Sequence, residues 1–277
     1  MSHDTMIRAA CARPLYTAMS SELHAERREG TMVLTISDPP SRNTLSEQVF
    51  AAGIEAIDTV ESDPTVRCIV LRGDGEHFSA GGNLHKLKAN RKAEPEVQGS
   101  MLQGFHDFVE ALRTCTKPVI AAVEGAAAGG GFSLALACDL IVAADDAKFI
   151  MAYGRIGLSP DGGATWQLMQ RLPRNLALQM LWLSEPFTSR QLHAHGIVNW
   201  VTSHGGALKQ ALEIGDRLAL CASNAIASAK DLVNQWPERS LAQQLDAERT
   251  HFLDNLFQAN GAEGLQSFLD KRPPRFE

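Results

Sequence analysis

From residue 21 onward the chain switches between two hydrophobic rhythms. "ELHAERREGTMVLTISDP" (22–39) reads as two strands around a turn at Arg28, Glu29 and Gly30; within it "TMVLTI" alternates and is rich in β-branched residues. The period then changes. Phe50, Ile54 and Ile57 recur at helical spacing, Pro64 follows, and Thr44 with Glu47 has capping-box spacing, which predicts a helix starting after Thr44. "VRCIVLRG" (66–73) and "KPVIAAVEG" (117–125) are short continuous apolar runs, the kind buried on both faces of a parallel sheet. Between them, "HFSAGGNL" (77–84) reads as a glycine-containing loop, "KLKANRKAEPEVQ" (86–98) as a charged, irregular surface segment, and 98–115 as a helix. "GGGFSLALACD" opens a further helix, and "LIVAAD" and "KFIMA" are two more strands. Beyond Gly163 the pattern is almost wholly helical. There Leu241, Leu245, Phe252 and Leu256 fall on one stripe, with Ser240 and Gln243 at capping-box spacing.

Strand and helix in alternation imply an α/β core with parallel strands and crossover helices. The chain divides into a loosely ordered extension at 1–20, an α/β core over 21–200 and a helical region over 201–277. Its 277 residues suffice for a sizeable core. A net charge of -6 argues against broad nucleic-acid binding, which needs a cationic face. It leaves room for a small polyanion held by a few local cations. The five cysteines are odd in number and lack a C-x-x-C pair, so they read as reduced thiols in a cytosol-like compartment. No apolar run approaches the roughly 20 residues of a membrane span, and the first 20 residues lack a signal-peptide core. A cytoplasmic protein with neither a membrane nor a nucleic-acid partner is expected.

Three segments carry candidate chemistry. In "EGAAAGGGFSLALACDL" (124–140), Gly125 to Gly131 are all Gly or Ala, after a strand and before a helix. Backbone without side chains can approach a ligand closely, and the first helical N–H groups can donate to a negative oxygen. The spacing fits neither a dinucleotide-binding loop nor a phosphate loop ending in Gly-Lys-Ser/Thr. "GFSLA" around Ser133 resembles a nucleophile elbow, but seven small residues separate the preceding strand from the serine. "HFSAGGNL" is a second loop where backbone could come close to a ligand; two such loops after neighbouring strands could each offer one N–H to the same oxygen. The third segment, "MAYGRIGLSPDGGATW" (151–166), holds one acid, Asp161, between Pro160 and a glycine pair. Asp161 either caps a helix beginning near Gly162 or performs proton chemistry. His193 and His195, two apart on a helix, point to different faces and make a poor metal site; His106 could face a pocket.

Taken together, "FSAGGNL", "KPVIAAVEGAAAGGGFSLALACDLIVAADDAKF", "IGLSPDGGATWQL" and "EGLQSFLDKRPPRF" resemble the enoyl-CoA hydratase/isomerase (crotonase) superfamily over about 25–277. The resemblance implies a spiral ββα core, a helical C-terminal trimerisation region, and homotrimers or dimers of trimers. It implies an acyl-CoA thioester as substrate, with coenzyme A part of that substrate and neither a separate cofactor nor a metal. The backbone N–H groups of Gly82 and Gly130 would form an oxyanion hole. Ser133, Tyr153, Trp166, Phe105, Ala80 and Leu84 would line the acyl site. Arg42, Lys86 and Lys88, with Lys271 and Arg272 of a neighbouring subunit, would meet the coenzyme A phosphates.

The departures from the family pattern matter as much. Typical hydratases carry two catalytic glutamates, at the positions of Ser133 and Tyr153; neither carboxylate is present. Asp161 matches the place of a catalytic aspartate in some isomerase branches. These include the ring-opening and double-bond isomerases of phenylacetyl-CoA breakdown and the dienoyl-CoA isomerases. More finely, "EGAAAGGGFSLALACDLIVAADDAKF" with "GLSPDGG" resembles a bacterial branch labelled enoyl-CoA hydratase or oxepin-CoA hydrolase, alternative type. The resemblance therefore favours Asp161 as a single general base in double-bond isomerisation, in fatty-acid or aromatic-acid catabolism. The alternatives are hydration despite the missing glutamates, Asp161 as a nucleophile in aryl-CoA hydrolysis or dehalogenation, and a non-catalytic CoA-ester-binding subunit.

Overall fold

The computed structural model describes residues 21–277; the extension expected at 1–20 lies outside the described residues. The chain runs through β1 (Glu22–Arg28), β2 (Thr31–Ser37), β3 (Thr44–Leu45), α1 (Glu47–Ser62), β4 (Cys68–Gly73), β5 (Gly81–Gly82), α2 (Leu84–Asn90) and α3 (Pro95–Thr114). It continues with β6 (Val119–Val123), β7 (Ala126–Ala128), α4 (Gly130–Ala137), β8 (Leu140–Ala144), β9 (Lys148–Ile150), α5 (Ala164–Arg171), α6 (Arg174–Leu183), β10 (Phe187–Thr188), α7 (Ser189–Ala194) and β11 (Trp200–Thr202). Four helices follow: α8 (Ala207–Ala219), α9 (Ser223–Gln235), α10 (Leu241–Leu256) and α11 (Ala259–Leu269).

The main sheet has the order β1-β2-β4-β6-β8-β11. β1 and β2 form the antiparallel hairpin, and every later neighbour is parallel. The apolar runs are its central strands: Ile69, Val70, Leu71, Val119, Ile120 and Ala121 are fully buried. They alternate between two cores, as strands covered on both faces must. One core lies under α1, α3 and α4; the other joins Val33, Val70, Ile120 and Val142 to Ala207, Ala211 and Ile214 of α8. After β2, β4, β6 and β8 the chain makes a short strand that leaves the main sheet before the next helix, giving a recurring ββα unit. The short strands pair with one another, β3 with β5 and β7 with β9, and a bridge between Ser79 and Ala127 joins the two pairs.

Several local expectations are corrected. The first helix is capped by Ser46, whose side chain accepts from the Val49 N–H, while Thr44 lies in β3, so no capping box forms at Thr44 and Glu47. Part of the charged segment at 86–98 is helical: Asn83 caps α2 by accepting from the amides of His85 and Lys86, and α3 starts at Pro95. β3, β5, β7, β10 and β11 are strands that were not expected. The capping box at Ser240 and Gln243 does form. The stripe on α10 forms too, but faces outward, with Leu241 and Phe252 75% and 68% exposed. Cys68, Cys115 and Cys138 are buried free thiols and Cys221 is an exposed one. No helix among the described residues is long and apolar enough to cross a membrane.

α4 sits at the centre. Every residue from Gly130 to Ala137 is buried, so the helix has no solvent face and its N-terminus is fixed by what surrounds it. A Cβ at Gly131 would overlap the Ser79 carbonyl oxygen, which is backbone and cannot rotate aside. Gly131→Ala is therefore expected to destabilise the fold by about 2–3 kcal/mol despite its better helix propensity. The measurement is the denaturant midpoint; a midpoint at or above the parent's would show that the loops can separate without cost.

Candidate active site

Two glycine loops meet at the N-terminus of α4. The Phe78 N–H donates to the Glu124 carbonyl (2.9 Å), Ser79 to Ala126 (3.1 Å), and Ala128 back to Ser79 (2.9 Å). The Ser79 hydroxyl donates to the Asn43 carbonyl (2.7 Å) and accepts from the Gly81 N–H (3.1 Å). Two positions demand glycine. Gly81 has φ +83°, and a Cβ there would lie 2.9 Å from the Gly130 nitrogen; Gly129, with φ +51°, turns the chain into α4. Gly130 is the first residue of α4, where backbone N–H groups have no intrahelical acceptor. Gly82 follows in β5 and is exposed.

Asp161 faces this junction. It does not cap α5: that helix starts from Gly163 with no side-chain cap, and Asp161 contributes only its carbonyl, to the Ala164 N–H. Its carboxylate instead accepts a short hydrogen bond from the Tyr153 hydroxyl at Oδ1. The Tyr153 oxygen lies 3.0 Å from Ser133 Oγ, in the first turn of α4. The Phe105 ring closes the space between α3, α4 and the Asp161 turn. A Cβ on Gly162 (φ +59°) would collide with that ring, and one on Gly130 would lie 3.6 Å from it. Burial pushes the Asp161 carboxyl above the usual carboxylate range; the bond from Tyr153 and the field of His106 oppose the shift without cancelling it. Burial and the neighbouring carboxylate push the Tyr153 phenol up, so it stays protonated and donates.

The structure thus brings together Phe105, Gly130, Ser133, Tyr153 and Asp161. Other expected site residues lie around them or apart. The Ala80 N–H donates to the Arg42 carbonyl (2.9 Å), and Leu84 is exposed on α2. Trp166 lies on α5 beneath the Arg113 guanidinium, 4.2 Å from its ring centre. Lys86 is paired with Glu47 at 3.0 Å, whereas Arg42 and Lys88 make no ion pair among the described residues. After α11, Lys271 is exposed and Arg272 is held by Glu263 (2.7 Å) and Asp270 (3.6 Å).

Two structural contributors escaped the sequence. Asn43, fully buried with φ +57°, donates to the carbonyls of Asp74 (2.8 Å) and His77 (2.7 Å) and accepts from the Asp38 N–H (2.9 Å), bracing the first loop. Its signal was an asparagine, the residue that best tolerates a left-handed turn after glycine. Glu124, Asp146 and His204 place ligand atoms within 4.8 Å of one another. Both Glu124 oxygens accept from the amides of Gly205 and Ala207 at the start of α8, so Glu124 caps that helix, and His204 bonds Asp146 beside it at 3.0 Å.

The family model for enoyl-CoA hydratase/isomerase matches residues 26–277. The chain belongs to the enoyl-CoA hydratase/isomerase family. It is 33% identical to 1,2-epoxyphenylacetyl-CoA isomerase of Escherichia coli K12, over 91% of this chain and 96% of that protein. It is 30% identical to 2,3-dehydroadipyl-CoA hydratase of the same organism, over 93% and 99%. Among solved structures, an enoyl-CoA hydratase from Polaromonas sp. JS666 superposes with a TM-score of 0.91 at 48% identity, covering 92% of this chain and all of that one. As a member of the family, the chain is an acyl-CoA-processing enzyme, and its ββα core with helical C-terminal region is the crotonase architecture.

The raised Asp161 pKa has a consequence for stability. A carboxyl that holds its proton more tightly when folded than when unfolded favours the fold at low pH, and that contribution is lost as pH rises through the folded pKa. Asparagine keeps an acceptor for Tyr153 without the buried charge. Asp161→Asn is therefore expected to melt above the parent at pH 7, with the gap closing as pH falls below the ordinary aspartate range. Melting temperatures across that range test it; a variant less stable than the parent at pH 7 would mean that the ionised carboxylate stabilises the fold.

Proposed function

We propose that the chain is an acyl-CoA isomerase that moves a carbon–carbon double bond through a thioester enolate, with Asp161 as its single acid/base. The observation that carries this reading is the engagement of Asp161: its carboxylate is turned to Tyr153 and Ser133 rather than to the amides of α5. The amides of Gly82 and Gly130 are the proposed donors to the thioester oxygen, where losing one such donor costs about 10²–10³ in rate. A free aspartate, with a pKa near ~3.9, is a weak base toward carbon. Burial strengthens it, and the oxyanion hole makes the substrate more acidic. One carboxylate can take a proton from the carbon beside the thioester and return it two carbons away. Hydration asks more, since water must be activated while a carbon is protonated, and the two positions expected to hold glutamates carry Ser133 and Tyr153.

Arg42, Lys88 and, from a neighbouring subunit, Lys271 remain the cations best placed in this reading for coenzyme A phosphates, because Lys86 and Arg272 already have carboxylate partners. Assembly into trimers is supported by the apolar side chains left open on the last two helices, where Phe252 and Phe268 are 68% and 83% exposed. Hydration is the second reading, favoured by the hydratases among the similar proteins.

The test pairs a short 3-enoyl-CoA with its 2-enoyl isomer in deuterated water, with mass detection. Conversion of the 3-enoyl ester without water addition, reduced by about 10²–10⁴ in Asp161→Asn, is the expected result. Rapid hydration of the 2-enoyl ester would replace the isomerase reading with the second one. Binding of both esters with turnover of neither would leave only a binding subunit for these acyl groups.

A further inference from the structure

The hydroxyl chain behind Asp161 has a defined direction. Tyr153 has one proton, and it is committed to Asp161 Oδ1. Ser133 Oγ, 3.0 Å from the phenol oxygen, can then only donate to it. The Ser133 hydroxyl has a second acceptor for its one proton, the Gly129 carbonyl at 3.3 Å, which competes with the closer phenol oxygen at 3.0 Å. The order is therefore Ser133 to Tyr153 to Asp161, rooted in the first turn of the central helix. Donation into the phenol oxygen polarises its O–H toward the carboxylate, so the two bonds reinforce each other. Tyr153 is fixed in turn: it is buried in the main core cluster, with its ring 4.0 Å from where a Gly129 Cβ would stand.

We propose that Tyr153 is a positioning residue that keeps Asp161 ionised in its buried site and occupies Oδ1, leaving Oδ2 to take the substrate proton, with Ser133 strengthening the bond from behind. This deepens the isomerase reading and rests on it for the identity of the proton's source. Desolvation drives Asp161 toward its neutral form, and a hydrogen bond to the ionised form opposes this. The turn over Ala152–Ile156 supplies Tyr153, and α3 supplies His106, the other titratable group whose field favours the carboxylate. From α4 comes only the neutral Ser133, and the one charge of α5, Arg171, is in its last turn, away from Asp161. Tyr153 thus replaces a carboxylate of the hydratase pattern with a donor, exchanging a second base for a better-held first one.

The test uses the full chain and two readouts. Difference infrared spectra of parent minus Asp161→Asn, followed against pH, report the Asp161 carboxyl without turnover; the pH dependence of 3-enoyl-CoA consumption reports its use. In Tyr153→Phe the carboxyl titration is expected to move up by about one to two pH units, the worth of a hydrogen bond to a charged group. The acid limb of the rate profile should move with it, so that the loss of rate is concentrated at low pH. Ser133→Ala, which leaves the tyrosine bond in place, should move both in the same direction by less, and it keeps the test open if Tyr153→Phe fails to fold. An unchanged carboxyl titration in folded Tyr153→Phe, or in Ser133→Ala should that be the only folded variant, overturns the proposal. A shifted titration with no turnover of either enoyl ester leaves the proposal standing and removes the isomerase reading instead.

Discussion

The site depends on two stretches of backbone lying closer than side chains would allow. The loop after β4 and the segment from β6 into α4 touch through main-chain atoms. At Gly73, Gly81, Gly125 and Gly131 a Cβ would overlap a carbonyl oxygen of the other stretch or of its own loop. Reciprocal hydrogen bonds around Ser79 hold the approach, and Asn43 braces it from behind. Backbone brought together this way cannot drift without breaking several bonds at once, so the amides at its rim have fixed directions. Preorganisation of this kind makes a donor effective toward a developing charge, because no reorientation is needed as the charge forms.

Much of this was legible in the sequence because it rests on periodicity and on glycine. The parallel strands appeared as continuous apolar runs since they are covered on both faces, and the crossover helices followed from the alternation. What escaped was local structure decided by distant partners. β7 consists of three alanines, which have no strand preference of their own; it is a strand because β9 and Ser79 lie beside it. α2 was hidden among lysines, with a cap from Asn83 but no buried stripe to mark it. The capping signal at Thr44 and Glu47 was misleading because pairing with Gly81 draws Thr44 into β3, leaving Ser46 to cap. The end of β6 and the start of α8 are about eighty residues apart, so no local pattern could have revealed Glu124 as the cap of α8.

The candidate site divides in the same way. Its glycines and its lone acid stood out as composition. The hydroxyl chain did not, because a tyrosine eight residues from an aspartate and a serine on a buried helix are unremarkable until packing brings them together. Phe105 was expected at the acyl site, but its contact with the Asp161 turn was not visible in the sequence. Its fit against Gly162 gives the second glycine run its meaning: the left-handed turn after Asp161 must be bare on the side where the ring lies. The turn that presents the carboxylate and the ring that covers it are therefore one packing solution.

Charge conservation explains why a single carboxylate suits so enclosed a place. In the proposed reaction Asp161 loses its negative charge as it takes the proton, and the thioester oxygen gains one. The charge moves within the site, toward the open N-terminus of α4, and the site as a whole neither gains nor loses any. Burying a second carboxylate beside the first would raise the cost of both ionised forms, since neither could be fully solvated and each would repel the other. Tyr153 and Ser133 avoid that cost. They are neutral, they donate in one direction, and they stabilise the ionised Asp161 that must exist before the proton is taken. In the proposed reaction the second base that water addition calls for is given up, and the one charge is held by fixed dipoles throughout, first at the carboxylate and then at the enolate.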